Sequence, residues 1–221
     1  MPLSRKFELD AEQIALSKKL NNVLHGDEYD KMISTMGYQD SGPELIQGRH
    51  RIRMAQKKYN DYFPEGATPD ELAEARTAML EKMLGRVGKG AYIEPPVFFD
   101  YGYNMSVGER FYSNYNCTFL DCALITIGDH VLLGPNVNLI TATHDVDVQS
   151  RRDHVEYAAP ITVGDDCWLG SGVQVMPGVN IGKGCTIGAN SVVTKDIPPY
   201  SVAVGAPARV IKTLEDPDAE K

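Results

Sequence analysis

The sequence is short of positive charge: 22 Lys and Arg stand against 30 Asp and Glu, leaving a net charge of −8 over 221 residues. A general nucleic-acid surface needs a basic field, so that class of partner is not expected. A local basic pocket for one anionic ligand remains compatible. No apolar run approaches the length of a membrane span. The start, MPLSRKFELDAEQ, turns acidic before an apolar stretch appears, so no secretory leader is expected either. The four cysteines (Cys117, Cys122, Cys167 and Cys185) form no CxxC pair. Free thiols in a reducing, cytoplasmic setting are the expectation, with a strained or redox Cys117–Cys122 pair as the alternative. What is present, 43% hydrophobic and 24% charged residues, is ordinary for a globular protein.

The texture changes near residue 90. Before it, charged and helix-forming residues dominate. Leu16, Leu20, Val23 and Leu24 form one stripe and predict a helix over 10–24. Leu45, Ile52 and Tyr59 predict another over 43–60, with Pro43 in a first turn that accepts it. A third opens at Thr68 and runs to about Leu84, with Thr68 as N-cap, Pro69 at N1, Glu71 at N3, and Gly85 and Gly88 beyond its end. This region, 1–90, reads as a helical cap with no chemistry in its spacing.

The second region, 91–211, is periodic. From Val163 the hexads read VGDDCW, LGSGVQ, VMPGVN, IGKGCT and IGANSV. From Ile127 they read IGDHVL, LGPNVN and LITATH, and VGERFY from Val107 is a weaker, shifted copy. A six-residue period fits neither an α-helix nor a strand-and-turn alternation. It fits a parallel β-solenoid of three short faces per coil, whose aliphatic residues point inward and stack between coils. Between His144 and Pro160 the period breaks into a charged segment, DVDVQSRRDHVEYAA. It reads as a loop extruded over 145–160, a usual place for function. A charged tail over 212–221 follows the repeat.

The stretches IEPPVFFDYGYN (93–104), FYSNYNCTFLD (111–121), IGDHVLLGPNVNLITATHD (127–145), ITVGDDCWLGSGVQVMPGVNIG (161–182) and IGANSVVTKDIPPYSVAVGAPARVI (187–211) resemble the hexapeptide-repeat acetyltransferases. Within them the chain is similar to the maltose and galactoside O-acetyltransferases, with a cap segment of that type near HGDEYD at 25–30. The resemblance implies a left-handed parallel β-helix behind an N-terminal α-helical cap, an exception to the right-handed crossover rule. It further implies acetyl-CoA as cosubstrate without a required metal, a sugar hydroxyl as acceptor, and a homotrimer with sites between subunits.

Acetyl transfer to a hydroxyl needs a base, oxyanion donors and an aligned thioester. His144, at the break in the repeat, matches the family's catalytic histidine, and a histidine suits proton transfer near neutrality. Asn114 matches a position at the acceptor, where an amide both donates and orients. Tyr112 is expected to line the same pocket. Asp100 matches an acceptor position of the maltose type, and Asp30 a cap aspartate of looser fit that is otherwise a solvated helix-end residue. On the cofactor side the resemblance points to Ser171, Ala189, Thr194, Lys195 and Arg209. Trp168 is expected against the pantetheine arm or the trimer seam. His154, in the loop, is a candidate for touching substrate or a neighbouring subunit. Cys122 stands where the family often keeps a second acid, which opens the acceptor's identity and tempts a covalent reading with Cys122 as acyl carrier.

Three rivals share parts of this pattern. A xenobiotic acetyltransferase has the histidine and the repeat but usually lacks the cap. A γ-type carbonic anhydrase would draw on His130, His144 and His154 for zinc, but the first two are not a whole coil apart. A non-catalytic solenoid leaves His144, Asn114 and Lys195 unexplained.

Overall fold

A computed structural model describes residues 5–219 of the chain. Four helices precede the first coil: α1 (Ala11–Ser17), α2 (Asp27–Ile33), α3 (Pro43–Asn60) and α4 (Pro69–Met83). The last two lie where the sequence puts them. Thr68 and Glu71 form a reciprocal capping box at the start of α4, behind Pro69. The first helix differs. It stops at Ser17 rather than near Leu24, because the Asn21 N–H donates to Gly85 O and draws the chain onto the solenoid. Leu20, Val23 and Leu24 still pack inward, but Leu16, the first residue of the expected stripe, is 39% exposed, because α1 ends before the chain turns onto the solenoid. The periodicity over 10–24 also passes over α2, whose Tyr29, Met32 and Ile33 are buried at i, i+3 and i+4.

The rest is a three-faced parallel solenoid. The first face stacks Arg86–Val87, Met105–Val107, Ile125–Ile127, Ile161–Val163 and Asn180–Ile181. The second stacks Tyr92–Ile93, Tyr112–Ser113, Leu132–Leu133, Trp168–Leu169, Thr186–Ile187 and Ser201–Gly205. The third stacks Val97–Phe99, Cys117–Leu120, Asn138–Ile140, Gln174–Val175 and Val192–Val193. Inward residues form columns through the core, such as Val107, Ile127, Val163 and Ile181, all buried. On the third face Phe99 and Phe119 stack with ring centroids 5.5 Å apart.

The corner between the second and third faces turns through Asn116, Asn136, Gly172 and Asn190, all at positive φ. Asparagine and glycine tolerate that conformation best. The corner between the third and first faces is less regular. Ser106 pairs with Arg86 and Thr126 with Ser106, twenty residues apart, whereas Asn180 pairs with Thr162 at eighteen. The extra residues sit in the segments after Phe99 and Phe119, and the third coil inserts a whole hairpin there. Against this corner the cap builds a second core of Tyr29, Met32, Ile33, Tyr38, Leu45, Tyr101, Tyr103, Cys122, Ala123, Leu124 and Ala158.

Both ends of the solenoid are closed. At the first coil, α3 supplies side-chain amides where another rung would bond. Gln56 Oε1 accepts the Phe99 N–H at 2.8 Å, and Asn60 both accepts from Val97 N and donates to Val97 O. A bare strand edge is thereby removed. At the other end Ala208–Thr213 turns back antiparallel on Ser201–Gly205. Part of the charged tail packs there too, through Lys183 and Asp216 at 3.5 Å, while residues 220–221 lie outside the described range.

Candidate active site

The segment after the third coil folds as a β-hairpin rather than an irregular loop. Ala142–His144 pairs antiparallel with Val155–Ala158, and His144 faces Glu156 in register. Thr141 anchors its base: its buried hydroxyl donates to Leu120 O and accepts from Ala123 N. At the tip Arg151 donates to the carbonyls of Asp145, Val146 and Asp147. The cap adds a third strand, Tyr38–Gln39, paired to Glu156 and Val155. Arg5 reaches the hairpin from the N-terminal side, paired with Asp145 and lying 4.9 Å over the Tyr157 ring.

The His144 side chain is 55% exposed, and its Nε2 lies 3.9 Å from Glu156 Oε1. Tyr38 donates its hydroxyl to the other carboxylate oxygen, Oε2, at 2.9 Å. A carboxylate so placed stabilises an imidazolium, which a base becomes on taking a proton. Neither Glu156 nor Tyr38 stands out in the sequence. Their relation to His144 exists only once the hairpin and the cap strand pair.

Asp100 is half-buried at the irregular corner. The Cys122 thiol donates to Asp100 Oδ2 at 3.3 Å. Burial and the Asp100 charge push the Cys122 thiol well above its ordinary range. A buried, un-ionised thiol is a poor nucleophile, which removes the acyl-carrier reading. All four cysteines are free and buried, and Cys117 and Cys122 lie in separate cores, so no pair forms. Behind Asp100, Asp121 is fully buried. Its Oδ1 accepts the N–H groups of Asp100 and Tyr101 at 3.1 and 2.8 Å, while Oδ2 has no hydrogen-bond partner among the described residues. Burial, with the Asp100 charge adding to it, pushes its carboxyl up to about 8. Arg49, which the sequence reading passes over, donates to the Tyr101 hydroxyl at 2.7 Å and to Asp40 O at 2.6 Å. Asp30 is half-buried on α2, one residue after the buried Tyr29.

The remaining expected residues occupy a different edge. Asn114, Ser171 and Ala189 lie at the corner between the second and third faces, Ser171 and Ala189 on one column and Asn114 on the column beside it, in register with Gly134, Gly170 and Gly188. Successive coils bond there through Asn114 N to Leu133 O, Gly170 N to Ile187 O and Asn190 N to Ser171 O. Asn114 Oδ1 accepts the Tyr115 N–H at 2.8 Å. That leaves its amide NH₂ without a partner among the described residues. Tyr112 and Trp168 stand outward on the second face, Trp168 at 54% exposure. Thr194 and Lys195 follow the last third-face strand and so return to the corner of Asp100 and His144. Lys195 and Arg209 are exposed, and neither has an ion-pair partner among the described residues. Within one chain the expected site is therefore divided between the two edges of the third face. His130 turns a third corner at positive φ, 3.4 Å from Asp166, away from His144.

Among the described residues no helix is long and apolar enough to cross a membrane. Two family profiles match the chain. The maltose acetyltransferase hexapeptide capping motif spans 31–88, and the bacterial transferase hexapeptide (six repeats) spans 160–195. A galactoside O-acetyltransferase of Escherichia coli K12 is 47% identical over 68% of this chain and 73% of its own length. The crystal structure of a maltose O-acetyltransferase from Clostridium difficile 630 superposes with a TM-score of 0.81 at 43% identity, covering 86% of this chain and 99% of that one. A galactoside acetyltransferase in complex with coenzyme A gives 0.80 at 38% identity, over 89% and 96%. The fold is accordingly a left-handed parallel β-helix, with both of these structures sharing it.

Proposed function

We propose a reaction for this chain, which belongs to the maltose and galactoside O-acetyltransferase family of hexapeptide-repeat proteins. It is an acetyl-CoA-dependent O-acetyltransferase of that type, and its acceptor is a sugar hydroxyl. The observation that carries the mechanism is the pairing of His144 with Glu156 across the hairpin.

Acetyl-CoA supplies the thioester. His144 takes the proton of the acceptor hydroxyl as the hydroxyl oxygen bonds to the acetyl carbon in a ternary complex. His144 then returns that proton to the departing thiolate as the carbon–sulfur bond breaks, so the base is regenerated. Glu156 steadies the charge on the imidazole between the two transfers. The unpartnered amide NH₂ of Asn114 donates to the developing oxyanion. Asp100, with Tyr112 and Asp30, receives acceptor hydroxyls, and a carboxylate is well suited to two of them. Ser171, Ala189 and Thr194 border the cofactor groove, with Trp168 beside it. The unpaired Lys195 and Arg209 meet its phosphates.

The division of these residues between two edges of one face supports a homotrimer. When copies pack around an axis facing their third faces, the Asn114 edge of one meets the His144 edge of the next. The four buried, reduced cysteines suit a cytoplasmic setting.

Thiol release from acetyl-CoA, measured against a panel of sugars, amines and alcohols, tests the whole reading. Turnover with sugars is expected, and its loss in His144→Ala. Wild-type turnover in that variant removes His144 as base. Turnover with no sugar but with a non-sugar alcohol transfers the protein to the xenobiotic class.

A further inference from the structure

The cap strand meets the catalytic hairpin at the residue that faces His144. Tyr38 and Glu156 are backbone partners across the strand pair, and the Tyr38 hydroxyl also donates to Glu156 Oε2 at 2.9 Å. Tyr38 is 2% exposed, so this hydroxyl is held inside the second core rather than shared with water. Its ring belongs to the same buried core as Tyr101, Cys122 and Leu124 of the irregular corner. The Cys122 thiol, on that side, is bonded to Asp100. Tyr38 therefore stands between the acceptor carboxylate and the carboxylate behind the base.

We infer that Tyr38 is a positioning residue, whose hydroxyl fixes the Glu156 carboxylate so that Oε1 faces His144. The inference rests on the proposed role of His144. A glutamate carries three side-chain torsions, and on a half-exposed hairpin they are otherwise unconstrained. Cross-strand pairing places the Glu156 backbone but leaves the carboxylate free to turn. One buried donor on Oε2 selects the orientation that leaves Oε1 for the imidazole. A hydrogen bond to a charged group is strong enough to hold one rotamer over another. The bond also gives the cap a part in catalysis: the helical region reaches the base through the strand Tyr38–Gln39, 118 positions from Glu156 in sequence.

The experiment is a double-substitution cycle with a structure beside it. Tyr38→Phe keeps the ring and removes only the donor, while Glu156→Gln removes the charge. With maltose as the acceptor probe, Tyr38→Phe is expected to lower kcat about fivefold, the scale of one lost hydrogen bond. KM for acetyl-CoA and for maltose should stay within about twofold of the wild type, since the residue touches neither. In the Glu156→Gln background Tyr38→Phe should have no further effect, because the two act as one unit. A crystal structure of Tyr38→Phe should show the Glu156 carboxylate turned away from His144. An equal kcat loss in both backgrounds, or a KM rise at unchanged kcat, overturns the inference. So does a Glu156 carboxylate that keeps its place in the Tyr38→Phe crystal, a readout that holds even where maltose is not turned over. Wild-type turnover in His144→Ala would instead remove the base, and the crystal would still report on Tyr38 and Glu156.

Discussion

The corner between the second and third faces and the corner between the third and first are made by the same repeat, and they have diverged. At the former the four coils after the first turn on Asn116, Asn136, Gly172 and Asn190, and backbone bonds run from coil to coil. At the latter the early coils carry extra residues, the third coil throws out a hairpin, and a cap packs over a buried carboxyl. Regularity gives the first corner a stiff, repeated edge. Irregularity gives the second room for side chains that a strict hexad would turn to solvent or to the core. The proposed base, its carboxylate and Asp100, the proposed acceptor residue, all belong to the irregular corner.

The difference predicts that substitutions separate into those that remove activity and those that remove stability. His144→Ala should lower kcat/KM by about three orders of magnitude, within the range for a general base. It should leave the melting temperature unchanged, because the side chain is half in water. A large loss of stability would break the contrast. Leu139→Ala, on the third face between Phe119 and Val175, should do the reverse. Its buried side chain leaves a cavity, and unfolding in guanidinium at fixed protein concentration should show a loss of about 3 kcal/mol.

Asp121 predicts a pH effect confined to the irregular corner. Its carboxyl is pushed up to about 8 in the fold, against about 4 in an unfolded chain. Between those values the unfolded chain gives up the proton while the folded one keeps it, so this group makes stability fall as pH rises from about 4 to 8. Asp121→Asn should flatten that slope, so that its stability relative to the wild type is higher at pH 8 than at pH 4. An unchanged slope would mean that Asp121 is ionised in the fold. The smallest effect belongs to the regular corner. Asn136→Ala places a Cβ-bearing residue with no polar side chain at φ 60° and should cost about 1 kcal/mol, whereas Asn136→Gly should be near neutral.

The solenoid was legible because its signal repeats. One aliphatic column is announced many times over, and a chance match at one hexad is corrected by the next. His144 was legible as the residue where the repeat stops. The corner around it was not. Tyr38, Arg49 and Glu156 become neighbours of the site only through contacts that span much of the chain, and no local pattern marks them. The cap shows a related limit. The apolar stripe of 10–24 correctly named Leu20 and Leu24 as inward. Yet a bond from Asn21 to Gly85, invisible in periodicity, ended the helix at Ser17. The seven-residue α2 was too short for its three buried residues to register as a helix.

The stacked edge that carries Asn114, Ser171 and Ala189 also works as a ruler. Its graduations are single coils, each about 4.8 Å from the next. Distances along it change only in whole steps. Duplicating one eighteen-residue coil above Gly170 would carry Arg209 one step farther from His144 and leave the hairpin untouched. The longer protein would keep its proposed acceptor site, and the proposed contact of Arg209 with the cofactor would fall one graduation out of reach.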